Sequence, residues 1–185
     1  MNIETFPESL SSAANNIHIK ESTLLLLNGS SGAGKTTIAT LLSEMDGVEW
    51  IHPDGLWDPS MDQREATFKA VALAVSQHQA ANIVVIDKQF RHQFMLDAFA
   101  EYGVTAGKQI LLYCNSADRR HRLEQRGWNE ADIAIMEDWA QWLYKDSGAA
   151  GNVAINTSIY RTDEVVSFIR HHFSKWEWIN GVSQL

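Results

Sequence analysis

Residues 28–37 read Asn28-Gly-Ser-Ser-Gly-Ala-Gly-Lys35-Thr36-Thr37, and the stretch from Gly29 to Thr36 fits G-x-x-x-x-G-K-[ST]. The flanks constrain the fold as much as the match does. Thr23 to Leu27 is an apolar run that ends at the first glycine, and Ile38-Ala-Thr-Leu-Leu continues at helical spacing. A strand, a glycine-rich loop and a helix in that order make a phosphate-binding loop.

The chemistry follows from the residue types. Glycines let backbone N–H groups turn inward and form a concave nest for phosphate oxygens. The helix opening near Lys35 aims its positive dipole end at the same place. Gly29, Ser30, Ser31, Gly32, Ala33, Gly34, Lys35, Thr36 and Thr37 are therefore the candidate triphosphate-binding residues. Lys35 reaches the β and γ phosphates as a point charge, and the Thr36 hydroxyl is a candidate ligand of Mg²⁺, which keeps several waters and uses few protein ligands.

The chain around this loop has 185 residues, enough for one domain with a sizeable core. With 45% hydrophobic and 21% charged residues it reads as globular. The net charge of −8 argues against a broad nucleic-acid surface, which is normally basic. Cys114 is the single cysteine, so no internal disulfide can form, in agreement with a reducing cytoplasmic setting. It closes the apolar run Ile110-Leu-Leu-Tyr-Cys and is expected to be a buried strand residue. No run of about 18 apolar residues is present, so no membrane span is expected, and Glu4 near the start speaks against a secretory signal.

Short apolar runs predict buried parallel strands at Thr23–Asn28, Val48–His52, Asn82–Asp87, Gln109–Cys114 and Val153–Asn156. Helical spacing fills the gaps from Met61 to Gln79, Phe90 to Tyr102, Ile133 to Tyr144 and Val165 to Phe173, the last with Thr162 as N-cap. Gly103, Gly127 and Gly148 are expected where helices stop. Alternation of this kind means crossover connections and a parallel sheet covered by helices on both faces. Ligands then bind at the carboxyl ends of the strands.

Several residues at those strand ends suit phosphoryl transfer. After the second strand comes His52-Pro-Asp54-Gly-Leu-Trp57-Asp58. A carboxylate there can take or fix the proton of an attacking hydroxyl. Asp54, first after the strand, is the candidate, with Asp58 as the alternative; the bland reading of Pro-Asp-Gly is a turn. Trp57 either stacks on an acceptor ring or covers the core, and His52 either assists or is structural. Ile83-Val-Val-Ile-Asp87 is an apolar strand ending in an acid, the layout for an aspartate that orients Mg²⁺, or equally for a helix N-cap. Arg91 is expected to meet an anionic group on the acceptor or the transferred phosphoryl, with an exposed surface arginine as the alternative.

The segment Ala117-Asp-Arg119-Arg120-His-Arg122-Leu-Glu-Gln-Arg126-Gly127 is the most basic. On one helix Arg119, Arg122 and Arg126 share a face. Guanidinium forks suit phosphate oxygens and charge developing during transfer. Arg122 and Arg126 are the candidate catalytic arginines and Arg119 a nucleotide contact; the alternative is a solvated face with pairs such as Arg120 to Glu124. Residues 128–147, rich in Trp and acidic groups, read as a cover that excludes water, so a lid is expected over about 117–148 of a single domain. Asn156-Thr157-Ser158 follows the last strand and can border a base ring.

Taken together, Gly29–Thr36, Asp54, Asp87, Arg119–Arg126 and Asn156-Thr157-Ser158 make the chain resemble a small P-loop kinase of the nucleotide-kinase group. That group includes adenylate, shikimate and gluconate kinases, chloramphenicol phosphotransferase and the kinase half of polynucleotide kinase. The resemblance implies an α/β three-layer P-loop NTPase fold, with a five-stranded parallel sheet in the order 2-3-1-4-5 and a small helical lid. It implies ATP and Mg²⁺ as cofactors, a small-molecule phosphoryl acceptor, and Asp54 as the acid that activates or positions the acceptor hydroxyl. Asp87-Lys-Gln-Phe-Arg91 stands where adenylate kinase has Asp-Gly-Phe-Pro-Arg, which argues against a nucleoside monophosphate acceptor. Two other readings are a nucleotide-dependent switch or ATPase acting on a protein partner, and a kinase of polynucleotide 5′ ends. Acceptor identity, ATP against GTP and oligomeric state are open from sequence.

Overall fold

The computed structural model describes residues 23–52, 62–77, 83–104, 107–150 and 152–174. Asp54, Trp57 and Asp58 lie outside the described residues. In chain order the elements are β1 (Thr23–Asn28), α1 (Lys35–Ser43), β2 (Val48–Ile51), α2 (Gln63–Gln77), β3 (Ile83–Asp87), α3 (His92–Glu101), β4 (Gly107–Tyr113), α4 (Ser116–Glu124), α5 (Glu130–Ala149), β5 (Val153–Asn156) and α6 (Thr162–Ser174). The five strands form one sheet in the order β2-β3-β1-β4-β5, and every neighbouring pair is parallel. That is the order expected from the resemblance.

The alternation of side chains along a strand sends successive residues to opposite faces. Leu24 and Leu26 of β1, with Val84 and Ile86 of β3, pack on Ala70, Val71 and Ala74 of α2 and on Met95, Ala98 and Phe99 of α3. Leu25, Leu27, Val85, Ile110 and Leu112 face the other way, onto Ile38, Ala39 and Leu42 of α1 and Val165 and Ile169 of α6. Both faces are covered, which is why β1 reads as four consecutive leucines instead of an alternating pattern. The result is three layers, with α5 lying against β4 and β5.

Helix ends differ from expectation in three places. Gly103 (φ 65°) and Gly127 (φ 78°) do stop α3 and α4 in the left-handed conformation. In each case the next amide reaches back five residues, Val104 to the Phe99 carbonyl at 2.9 Å and Trp128 to the Leu123 carbonyl at 3.1 Å. Gly148, by contrast, sits inside the last turn of α5, which runs on to Ala149. Thr162 is the first residue of α6 and not its cap. The Arg161 carbonyl accepts the first helical bond, and the Glu164 carboxylate accepts from the Arg161 amide at 2.8 Å. Asp87 caps no helix, because α3 starts four residues later than expected of such a cap, with Arg91 in the N-cap position.

The region expected to form a lid is two helices joined by a short turn. Asn115 and Asn129 cap them, each side chain accepting a backbone N–H three residues on. The later part of α5 belongs to the core layer, since Ala140, Leu143 and Ser147 are buried.

Candidate active site

The loop between β1 and α1 is held by side chains that precede and oppose it. Asn28, fully buried at the end of β1, accepts the amides of Gly29 and Phe90 through Oδ1, both at 2.8 Å. Its Nδ2 donates to the Phe90 carbonyl, also at 2.8 Å. One carboxamide therefore ties the start of the loop to the segment after β3. Gly29 has φ 149°, and a Cβ there would stand 2.2 Å from the Leu112 carbonyl oxygen, so no other residue fits. Its N–H is given to Asn28, so the part of Gly29 that the structure shows is to make the turn. Ala33 likewise gives its amide to the Ser30 carbonyl at 3.2 Å, and both residues are buried behind the loop.

Gly34 (φ 89°) is the N-cap of α1 and has no capping side chain. The first-turn amides of α1, beginning at Lys35, are thus the anion-facing donors a helix N-terminus supplies. Lys35 Nζ donates to the Ser30 carbonyl at 3.1 Å, folded across the loop. Thr37 is exposed and does not line the cavity described below.

Asp87 is the centre of the polar network. Its side chain is buried, and the Thr36 hydroxyl donates to Oδ2 at 2.8 Å. On Oδ1 it accepts the Trp50 indole N–H at 2.9 Å and meets His52 Nδ1 at 2.8 Å. Thr36 and Asp87, both expected as metal ligands, are brought together because β1 and β3 are neighbours, with Leu27 opposite Asp87. Trp50 and His52 lie two residues apart at the end of β2, so they face the same side and converge on the one carboxylate.

A cavity of about 430 Å³ opens over the loop, lined by Ser31, Gly32, Gly34, Lys35, Thr36, His52, Gln63, Thr67, Asp87, Lys88, Gln89 and Arg126. That volume suits a small-molecule or cofactor site. Its location, at the carboxyl ends of β1, β2 and β3, is where this sheet type places ligands.

The three arginines of the basic segment have different surroundings. Arg119 is buried, with NH1 on the Glu137 carboxylate at 2.9 Å and NH2 on the Cys114 carbonyl at 2.7 Å. Its Nε and the second Glu137 oxygen have no hydrogen-bond partner among the described residues. Arg119 does not line the cavity; it packs behind Gly32, where a Cβ would meet its Cγ at 3.1 Å. Arg122 is half-buried and clamps the loop, donating to the Gly32 carbonyl at 2.9 Å and to Thr157 Oγ1 and the Thr157 carbonyl at 3.1 and 3.0 Å. Thr157 Oγ1 also lies 3.1 Å from the Ala33 carbonyl oxygen, so the loop after β5 is stapled to the phosphate loop. Arg126 alone of the three lines the cavity. It is exposed and lies beyond the end of α4 at Glu124, which corrects the single helical face inferred for the trio.

Arg91 is exposed, as in the alternative reading, and does not line the cavity. It donates from Nε to Gln63 Oε1 at 3.2 Å, and its guanidinium lies 5.0–5.6 Å from the rings of Phe94, Trp139 and Trp142. Cys114 is buried as expected, and burial pushes its thiol pKa up.

Sequence reasoning missed Asn28 as a clip, Trp50 as a donor to Asp87, and Gln63, Thr67 and Gln89 as cavity walls. Asn28 had a signal, a polar residue ending a four-leucine strand. The others had none, because the partners of Trp50, Gln63 and Gln89 are distant in the chain and Thr67 bonds only within its own helix turn.

A parallel five-stranded sheet with this order, a glycine-rich loop between β1 and α1, and a hydroxyl–carboxylate pair beside it define a small P-loop kinase fold. The sequence profile of the AAA domain family matches residues 25–143, and the chain belongs to that family. Solved structures agree on the fold. A tunicamycin resistance protein from Deinococcus radiodurans is similar with a TM-score of 0.63 and 19% identity, over 82% of this chain and 95% of that one. Shikimate kinase from Acinetobacter baumannii, in complex with shikimate, gives 0.62 and 15%, over 83% and 93%. APS kinase from Mycobacterium tuberculosis, in complex with AMPPNP and APS, gives 0.59 and 14%, over 84% and 99%. No curated protein matches the chain in sequence. No helix among the described residues is long and apolar enough to cross a membrane.

Proposed function

We propose that the protein is an ATP-dependent phosphotransferase that moves the γ-phosphoryl group to a hydroxyl of a small-molecule acceptor. The observation that carries this reading is the reach of the cavity. It runs from the phosphate loop to Gln63 and Thr67 on α2, leaving a polar wall beyond the place a triphosphate would occupy. An ATPase whose acceptor is water needs no such wall.

The residues at the loop end suit a nucleotide with its metal. Thr36 Oγ1 and Asp87 Oδ2 are hard oxygen donors held 2.8 Å apart, the kind of pair Mg²⁺ takes when phosphates supply the rest of its shell. Bound there, magnesium would offset phosphate charge. First-turn amides of α1 and Lys35 bind the β and γ phosphates, with Ser31, Gly32 and Gly34 shaping the cradle. Arg126 meets the charge that spreads over the transferring group. Arg122 contributes by keeping the loop in shape. Asp54 follows β2 two residues after His52, and in this reading it accepts or fixes the acceptor proton. Phosphoryl transfer asks mainly for positioning and charge stabilisation, which the fixed loop supplies.

The experiment is a measurement of ADP release with ATP and Mg²⁺ across nucleosides, sugars and aminocyclic alcohols. Stimulation by an acceptor, lost in Asp54→Asn, is the expected result. Steady hydrolysis that no acceptor alters would overturn the reading in favour of a nucleotide switch.

A further inference from the structure

The cavity lining, from the phosphate loop across to α2, has a hydrogen-bonding pattern that selects among acceptors. Gln63 and Thr67 are one helical turn apart on α2 and share its cavity face. Gln63 Oε1 accepts from Arg91, whose guanidinium can only donate, so the carboxamide oxygen is turned toward Arg91. The two N–H bonds of Gln63 Nε2 are what that carboxamide has left to offer. Thr67 is buried and gives its hydroxyl proton to the Gln63 carbonyl at 2.7 Å, so it presents lone pairs. Gln89 directs Nε2 to Ser31 Oγ at 2.9 Å and to Met136 Sδ at 3.9 Å, which leaves its Oε1 as an acceptor. The wall thus combines one donor with two acceptors, and all three groups are uncharged.

Arg91 is what sets the donor. Its position is fixed by the ring of Phe94 on its own helix and by Trp139 and Trp142 of α5, which stack with centroids 5.0 Å apart. Arg64, on α2, lies over the Phe68 ring at 4.4 Å and 3.6 Å from the Asp97 carboxylate. Neither lines the cavity.

We infer that the acceptor is an uncharged, polyhydroxylated small molecule, with Gln63 as the specificity-determining residue and Arg91 as the residue that positions it. This rests on the phosphotransferase reading above. A hydroxyl both donates and accepts, so neighbouring hydroxyls can satisfy Gln63 Nε2, Thr67 Oγ1 and Gln89 Oε1 together. A carboxylate or phosphate only accepts. It would satisfy Gln63 and face two lone-pair groups with no proton to give them.

The test compares matched probes, glucose and ribose against gluconic and ribonic acids, with inositol as a further neutral probe, by ADP release over the ATP-only background. Neutral probes should stimulate, and the acids should not. For the best neutral probe, Gln63→Glu should raise the acceptor KM at least about tenfold while kcat and the ATP KM stay within about twofold. The variant keeps a partner for Arg91, so the fold is not at risk. Arg91→Gln should raise the same KM, and Arg91→Lys should recover part of it. Equal or better stimulation by the acids, or an acceptor KM unmoved by Gln63→Glu, would overturn the inference and leave the kinase reading intact. Background hydrolysis that no probe of either kind changes would take down the kinase reading and this inference with it.

Discussion

At the loop end of the cavity, side chains are tied to backbone. Asn28 holds the Gly29 and Phe90 amides, Arg122 holds the Gly32 and Thr157 carbonyls, and Lys35 lies on the Ser30 carbonyl. At the α2 wall, side chains are tied mostly to side chains: Arg91 bonds to Gln63 and lies against three aromatic rings. The first arrangement fixes a chain path, and a fixed path suits a ligand feature that does not vary, such as a polyphosphate. The second can be rewritten by exchanging a few side chains without moving the backbone. One end of the cavity is therefore built to hold, and the other to discriminate.

The most severe test of the loop end is Gly29→Ala. Its Cβ would meet the Leu112 carbonyl oxygen at 2.2 Å, and the contact is backbone, which cannot step aside. Overpacking and an unfavourable φ together should cost about 3–5 kcal/mol. A denaturant titration should show that loss, and nucleotide binding should vanish with it. A variant that unfolds at the parent's midpoint would mean the loop end is softer than its hydrogen bonds suggest.

Next comes Asp87→Asn. The buried carboxylate accepts from Thr36 and Trp50 and meets His52 Nδ1, and an amide keeps only part of this. Turnover should fall by about 10²–10³, the usual cost of losing a preorganised charge at a transfer site. The magnesium concentration for half-maximal rate should rise. If turnover falls and the magnesium dependence does not move, Asp87 organises the strand ends and leaves the metal to Thr36.

Arg122 and Arg126 sharpen the comparison because they are four residues apart and differ in what they touch. Arg122→Ala removes bonds to the Gly32 and Thr157 carbonyls and should destabilise the fold by about 2–3 kcal/mol. ATP affinity should weaken as a consequence of the loosened loop. Arg126→Ala should leave the melting temperature within the equivalent of about 0.5 kcal/mol, because its exposed side chain has no hydrogen-bond or ion-pair partner among the described residues. Its effect should appear in kcat. The opposite assignment of the two phenotypes would place the transferring phosphoryl nearer α4 than the cavity lining implies.

The same contrast explains what could be seen in the sequence. The loop, β1 and β5 were legible to the residue, and β2, β3 and β4 within two, because apolar runs and glycine spacing are local signals. Thr36 and Asp87 were legible because one opens the helix after the β1 loop and the other ends a strand, and a parallel sheet collects both at its carboxyl edge. Gln63, Gln89 and the Trp50 indole were not legible. Their partners are 28, 58 and 37 residues away, and nothing local in the chain distinguishes them from other polar or aromatic residues. Arginines misled for the same reason. Their spacing on α4 said that they share a helix, but burial decided that Arg119 pairs with Glu137 and that Arg126 falls past the helix end.

The smallest effect lies far from both ends of the cavity. Lys108 on β4 is partly buried, and loss of solvation lowers its pKa from 10.5 to about 8. In the unfolded chain the amine keeps its proton up to its ordinary pKa, so between about 8 and 10.5 the unfolded state binds more protons than the folded one. Stability from this group therefore rises with pH across that window, and the full penalty is felt below it. Lys108→Met should raise the melting temperature slightly at neutral pH. The advantage should shrink as pH climbs through the window, because the parent then sheds its buried charge. Catalysis should not change, since Lys108 does not line the cavity. A gain that stays constant across the window would show that the methionine acts through packing and that the charge on Lys108 costs the fold nothing.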